Sequence, residues 1–115
     1  MPKKHDLKTW PEHFKYIKTG IKTFEIREND RGFEVGDILN LREFSPCSYC
    51  NGSGRVRDYT DLVSCNCMES KNPKGKYSGR SIKRKVVYIL HGPSFGLGEK
   101  YCCMSIKPVK ENYEK

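Results

Sequence analysis

Cys47 and Cys50 stand in the run Cys-Ser-Tyr-Cys-Asn-Gly-Ser-Gly, and Cys65 and Cys67 follow in Ser-Cys-Asn-Cys after fourteen intervening residues. Two close cysteine pairs at that separation suit one tetrahedral zinc site. A Cys-x2-Cys knuckle turns its backbone so that amide N–H groups point at thiolate sulfurs, and Gly52 and Gly54 permit that turn. The alternative, a pair of disulfides, belongs mainly to secreted chains. Here the N-terminal run Met-Pro-Lys-Lys-His-Asp-Leu lacks the apolar segment of a signal peptide, and no apolar run approaches membrane-spanning length. A cytoplasmic protein with no membrane partner is expected. Four cysteine ligands would close the coordination shell and leave no position for a reactive water, so the zinc is expected to be structural. Cys102 and Cys103 are neighbours in an apolar stretch and, on a strand, point to opposite faces, which keeps them out of one metal site.

A second constellation mixes cations with a carboxylate. In Lys22-Thr23-Phe24-Glu25-Ile26-Arg27-Glu28, Phe24 and Ile26 fall on one side of a period-two strand, and Thr23, Glu25 and Arg27 on the other. Glu25 and Arg27 therefore project together, with Lys22 at the strand's start and Lys8 on a neighbouring segment. A carboxylate among cations can orient an arginine and accept hydrogen bonds from a base edge, while Arg and Lys take phosphate. The plainer possibility is an ion-pair cluster that holds the fold together. If the site is catalytic, His5, Lys8, Lys22 and Glu25 could supply a base, an acid and charge stabilisation for metal-independent phosphodiester cleavage. Arg31 is a further candidate contact, although Asn29-Asp30-Arg31-Gly32 reads equally as turn chemistry.

Lys and Arg number 22 against 14 Asp and Glu, a formal charge of +8. Four thiolates around one dication would leave about +6. No acidic residue occurs between Ser70 and Gly98, whereas Lys71, Lys74, Lys76, Arg80, Lys83, Arg84 and Lys85 crowd the first half of that stretch around Tyr77. Such a block suits a phosphate backbone, RNA or single-stranded nucleic acid, or else forms a solvated face.

The elements that would position these groups are few, as 115 residues with a hydrophobic share of 36% make one domain with a thin core. Metal binding would add the folding free energy the core lacks. Residues 5–9 read as a first strand, and Pro11 opens a helix to about Thr19, closed by Gly20, with Trp10, Phe14 and Ile17 on one buried face and His13 on its surface. Residues 22–28 and 38–44 read as strands, 72–79 as a Pro/Gly/Lys stretch, 81–90 as a long, largely buried strand and 101–107 as the last strand. The Gly92–Gly98 segment is a loop without the Gly-Lys-Ser/Thr ending of a phosphate loop. Residues 108–115 are expected to be a flexible tail. The expected fold is α+β: five to six strands, mixed or antiparallel, in a small, partly open barrel with one early helix.

The run from His5-x-Leu-Lys-x-Trp-Pro through Gly-x-Lys-Thr-Phe-Glu-x-Arg-x-Asn-Asp-Arg to Val-Gly-Asp resembles the ASCH group of PUA-like domains, and most of all a compact branch of bacteria and phages catalogued as a domain of unknown function. The likeness covers residues 4–44 and resumes at Tyr77-Ser-Gly-Arg, so that residues 45–72 look like an insert. Separately, Cys-x2-Cys-x-Gly-x-Gly is similar to the zinc knuckle of DnaJ-type chaperones. The ASCH resemblance implies a PUA-like barrel whose cleft, between helix and barrel, faces RNA or a modified nucleotide, with Lys8, Lys22, Glu25, Arg27 and Arg31 there and Lys74, Lys76, Tyr77, Arg80 and Lys83 extending the contact. The insert would present Arg55, Arg57 and Tyr59 to the same partner. One relative removes an acetyl group from a modified cytidine with a Lys, a Thr and a later Glu. Lys22 matches that Lys, but Glu25 replaces the Thr and the later Glu would fall in the acid-free stretch, which disfavours that reaction. Other relatives are described as ribonucleases, which keeps Lys22, Glu25 and His5 as a catalytic set. A phage origin would also allow a host protein as partner.

Overall fold

A computed structural model describes residues 2–57, 61–71 and 73–109. Strand β1 (Lys4–Thr9) alternates cleanly, with His5, Leu7 and Thr9 buried and Lys4, Asp6 and Lys8 in solvent. Pro11 opens helix α1 (Pro11–Lys18), where its fixed φ costs no hydrogen bond. The helix ends at Thr19, whose hydroxyl donates to the Lys15 carbonyl, and Gly20 follows at φ +85° with its amide on the Ile17 carbonyl. Phe14 and Ile17 are buried as expected, but Trp10 is 48% exposed. It sits before the first helical turn with an extended backbone, so the helical period does not carry it inward.

Five strands form one mixed sheet in the order β1-β3-β6-β7-β2, curled into a half-barrel. Strand β2 spans Phe24–Glu28, β3 Ile38–Pro46, β6 Gly75–His91 and β7 Tyr101–Pro108. β1 and β3 are parallel, from Lys4 beside Ile38 to Thr9 beside Glu43, and the other neighbours are antiparallel. Residues 75–79, from the Pro/Gly/Lys stretch expected to precede the strand, belong instead to β6, which pairs its first part with β3 and its second part with β7. Gly75 makes the early start possible, because a side chain there would strike the Ser45 carbonyl and the Phe44 ring. Tyr77 then lands edge-on against Phe44, with ring centroids 4.9 Å apart. The expectation of a largely buried β6 holds for Val86, while Tyr88 is exposed.

The concave side of the sheet holds the core: Leu7, Leu39, Leu41, Val86, Cys102, Met104 and Ile106, closed by Ile17 from α1 and by Phe33. Cys102 is buried and Cys103 is not, in keeping with opposite faces. Between β3 and β6 lies a separate two-stranded hairpin, β4 (Arg55–Arg57) with β5 (Leu62–Ser64), followed by a short 3-10 turn at Asn66–Glu69. Among the described residues no helix is long and apolar enough to cross a membrane. Tyr59 and the tail beyond residue 109 lie outside the described residues.

Candidate functional site

The hairpin brings together all four knuckle cysteines. Asn51, Gly52 and Gly54 take positive φ values of 54°, 84° and 85°, which folds the chain back over Cys50. The Asn51 amide donates to the Cys47 carbonyl and the Cys65 amide to the Gly54 carbonyl, tying the two cysteine pairs to one another. Cys47 and Cys65 sulfurs are 3.8 Å apart and those of Cys50 and Cys67 3.6 Å, with all four within 4.8 Å of one another. These spacings are far longer than a disulfide bond of about 2.05 Å. The two shorter spacings match the edge of a tetrahedron, about 3.8 Å, around an ion bound at about 2.3 Å, so the four thiols could hold one metal ion. Burial pushes the Cys50 thiol up, but the amides of Gly54 and Gly52 and the neighbouring thiols outweigh it and bring its pKa down to about 6. Cys67 is pushed up to about 12 by burial and by its three thiol neighbours, against the Lys74 amide on its sulfur. Without a cation the cluster thus favours a thiolate at Cys50 and a protonated thiol at Cys67, and a bound cation would favour the thiolate there as well.

The second site is a cleft of about 570 Å³ between the β1–α1 junction and β2. β2 turns its polar side inward. Glu25 is only 4% exposed, while Phe24 and Ile26 stay in solvent. Arg27 donates from Nε to Glu25 Oε2 at 2.7 Å and from Nη2 to the Lys8 carbonyl at 2.6 Å, pinning β2 to the end of β1. Lys22 Nζ lies 3.9 Å from the other Glu25 oxygen and donates to His13 Nδ1 at 3.2 Å. Glu25 Oε1 and Thr9 Oγ1 are both buried without a hydrogen-bond partner, and both residues line the cleft. Trp10 and Phe24 supply aromatic walls.

Lys22, Glu25 and Arg27 therefore meet as the strand pattern suggested. Lys8 borders the cleft, but its ammonium stands 4.5 Å from the Phe44 ring centroid. His5 is not part of the site. Its ring is buried against Phe33, and Nε2 donates to Asp37 Oδ2 at 2.9 Å, because β1 points residue 5 into the core at the far end of the strand. Arg31 is also turned away, donating to the Asp6 carbonyl. Arg80 is held by buried Glu43 through Nε at 2.8 Å and Nη2 at 2.6 Å, and Tyr77 is covered by the Arg42 guanidinium at 3.9 Å. Lys74 serves the cysteine cluster with its backbone, whereas Lys76 and Lys83 are exposed on β6, and Arg55 on β4. Sequence reasoning missed Thr9, Trp10 and His13 as cleft residues. The one available signal was Trp10 to His13, three apart at a helix start and so on one edge.

Residues 4–106 match the family described as a domain of unknown function, DUF3850. The chain belongs to this family. The match spans the sheet, the helix and the cysteine hairpin alike, so cleft and cluster both lie within the DUF3850 domain. No curated protein matches the chain.

Proposed function

We propose that this DUF3850 protein is a cytoplasmic nucleic-acid-binding module of the ASCH/PUA-like type, which takes a nucleotide of RNA or another single strand into the Glu25 cleft and carries a structural zinc ion in its hairpin. The observation that carries this reading is the pair of buried oxygens, Glu25 Oε1 and Thr9 Oγ1, left without a hydrogen-bond partner in a cleft also lined by two exposed aromatic rings. Buried polar atoms are normally hydrogen-bonded, and a carboxylate oxygen whose one cation, Lys22, stands 3.9 Å away can still take an N–H donor from outside. A nucleobase offers that donor on its edge and a flat face for Trp10 or Phe24, while Lys22 can take a phosphate. Zinc is supported by the tetrahedral sulfur spacing, and Cys47, Cys50, Cys65 and Cys67 would hold it. When bound it would supply folding energy, with no coordination position left for chemistry.

Trp10 is the only tryptophan, so ligand stacking should quench its fluorescence directly. Titration with ribonucleotides and with mixed-sequence single-stranded RNA and DNA at low salt should show quenching, weakened about tenfold by Glu25→Gln and by Lys22→Ala, the size of one lost charge-assisted contact. Wild-type protein that neither quenches nor retards any strand would overturn the reading. A second reading, RNA hydrolysis, is favoured by His13 Nδ1 at 3.2 Å from Lys22 Nζ beside Glu25, which gathers acid, base and cation in one cleft. End-labelled RNA decides it: cleavage that survives both substitutions undiminished excludes this site.

A further inference from the structure

The outer, convex face of the sheet opposite the core carries side chains that a solvated face does not need. Along β7 its outward residues are Tyr101, Cys103, Ser105 and Lys107, and register sets the neighbours in rows. Ser105 lies between Tyr88 of β6 and Phe24 of β2, and Cys103 between Leu90 and Ile26. Tyr88 is 60% exposed, Ile26 50%, Tyr101 46% and Phe24 43%, a contiguous apolar patch rather than scattered single residues. The backbones that carry the two rings of the Ser105 row are two strand spacings, about 10 Å, apart, with only a serine between them. The next row places Lys85 directly opposite Lys107, and Lys83 follows on the same face. Like charges directly opposed across two strands are destabilising, and neither β6 nor β7 contains an acidic residue to relieve them. Anions from outside would.

From these rows we infer that the β6–β7–β2 outer face is a second contact for single-stranded nucleic acid, a stacking platform for bases flanking the nucleotide in the cleft. The inference rests on the cleft reading, because Phe24 and Ile26 belong to both surfaces: they line the cleft and stand on the outer face of the edge strand. A strand leaving the cleft over β2 meets Phe24, then Tyr88, with Lys85 and Lys107 beside them for its phosphates. Open sheet faces that combine aromatic rings with flanking cations bind single strands in this manner, base upon ring and phosphate upon cation.

The test compares a mononucleotide with a single-stranded 12-mer, using Trp10 quenching and fluorescence anisotropy on wild type, Tyr88→Ser, Tyr88→Phe and Lys85→Ser. Tyr88→Ser should weaken the 12-mer about tenfold and leave mononucleotide quenching unchanged, while Tyr88→Phe retains affinity. Lys85→Ser should lower the slope of log K against log salt by about 0.7, one phosphate on a single strand. Unchanged 12-mer affinity in both serine variants, with binding still weakened in Glu25→Gln, overturns the platform and leaves the cleft standing. Absence of both quenching and 12-mer binding in wild type overturns both. A concentration-dependent dimer that Tyr88→Ser disperses, with 12-mer affinity untouched, assigns the face to a second copy and overturns the inference.

Discussion

Glu25 and Asp37 show how one residue type does two jobs. Glu25 gives one oxygen to Arg27 and keeps the other without a hydrogen bond at the cleft, 3.9 Å from Lys22, whereas Asp37 is saturated, accepting from His5, from the Lys3 amide and from the Glu34 amide. Asp37→Ala would strand those donors in a buried place and should destabilise the fold by about 1–3 kcal/mol, measured by urea denaturation. Glu25→Gln keeps the volume and one acceptor for Arg27, so it should change stability little while weakening ligand. The acid limb follows from the same contacts. Burial pushes the Asp37 carboxyl up, but the His5 ring and the two amides outweigh it and hold it below its ordinary 3.8. Glu43 is lowered from 4.5 by a hydrogen bond from Ser78, against burial, with Arg80 adding to the fall. Folded carboxyls that bind protons less tightly than unfolded ones contribute stability in full above their ordinary pKa and lose it as pH falls through the lowered one. Stability should therefore be flat above about pH 5 and decline below about pH 4, and Asp37→Asn should flatten that decline in a pH series of thermal melts. A melt equally acid-sensitive in Asp37→Asn would count against this.

At the scale of elements, strand alternation was legible and the inward face was not. Residues 24–28 alternate in polarity, yet the structure buries Glu25 and exposes Phe24 and Ile26, because β2 is an edge strand bordering a cleft rather than the core. Residues 75–79 carried loop composition, and a strand forms there because Gly75 fits beside Ser45 where no side chain can. Gly75→Ala adds a methyl at φ +153° against backbone and ring, and should cost about 1–3 kcal/mol and lower the urea midpoint. The hairpin behaves differently. Among the described residues it shares no strand pairing with the five-stranded sheet, so Cys65→Ser with Cys67→Ser should abolish metal uptake and open residues 47–74 to protease while the sheet keeps its circular dichroism. Global unfolding in that variant would show that the hairpin is part of the core.

For the whole molecule the formal charge of +8 sets a long-range attraction to polyanions, and the structure distributes it unevenly. Arg80 is consumed by Glu43, Arg84 by the Ile17 carbonyl and Arg31 by the Asp6 carbonyl, whereas Lys83, Lys85 and Lys107 remain exposed on one convex face. If the protein binds single strands as proposed, affinity should fall log-linearly with salt, while metal loaded onto the cysteine cluster should be retained, as checked by metal content after a high-salt wash. The sequence by itself determined the cysteine quartet and its turn, the Pro11 helix start, the α+β class, and the shared side of Glu25 and Arg27. All of these follow from local spacing: ligand reach, φ restriction and period-two alternation act within a few residues. Only tertiary structure decided that β1 lies parallel to β3, that His5 belongs to Asp37 and not to the cleft, and that Trp10, Thr9 and His13 do belong to it. Those outcomes turn on which residues distant in the chain become neighbours and on which face the curled sheet closes around, and no local pattern carries that information.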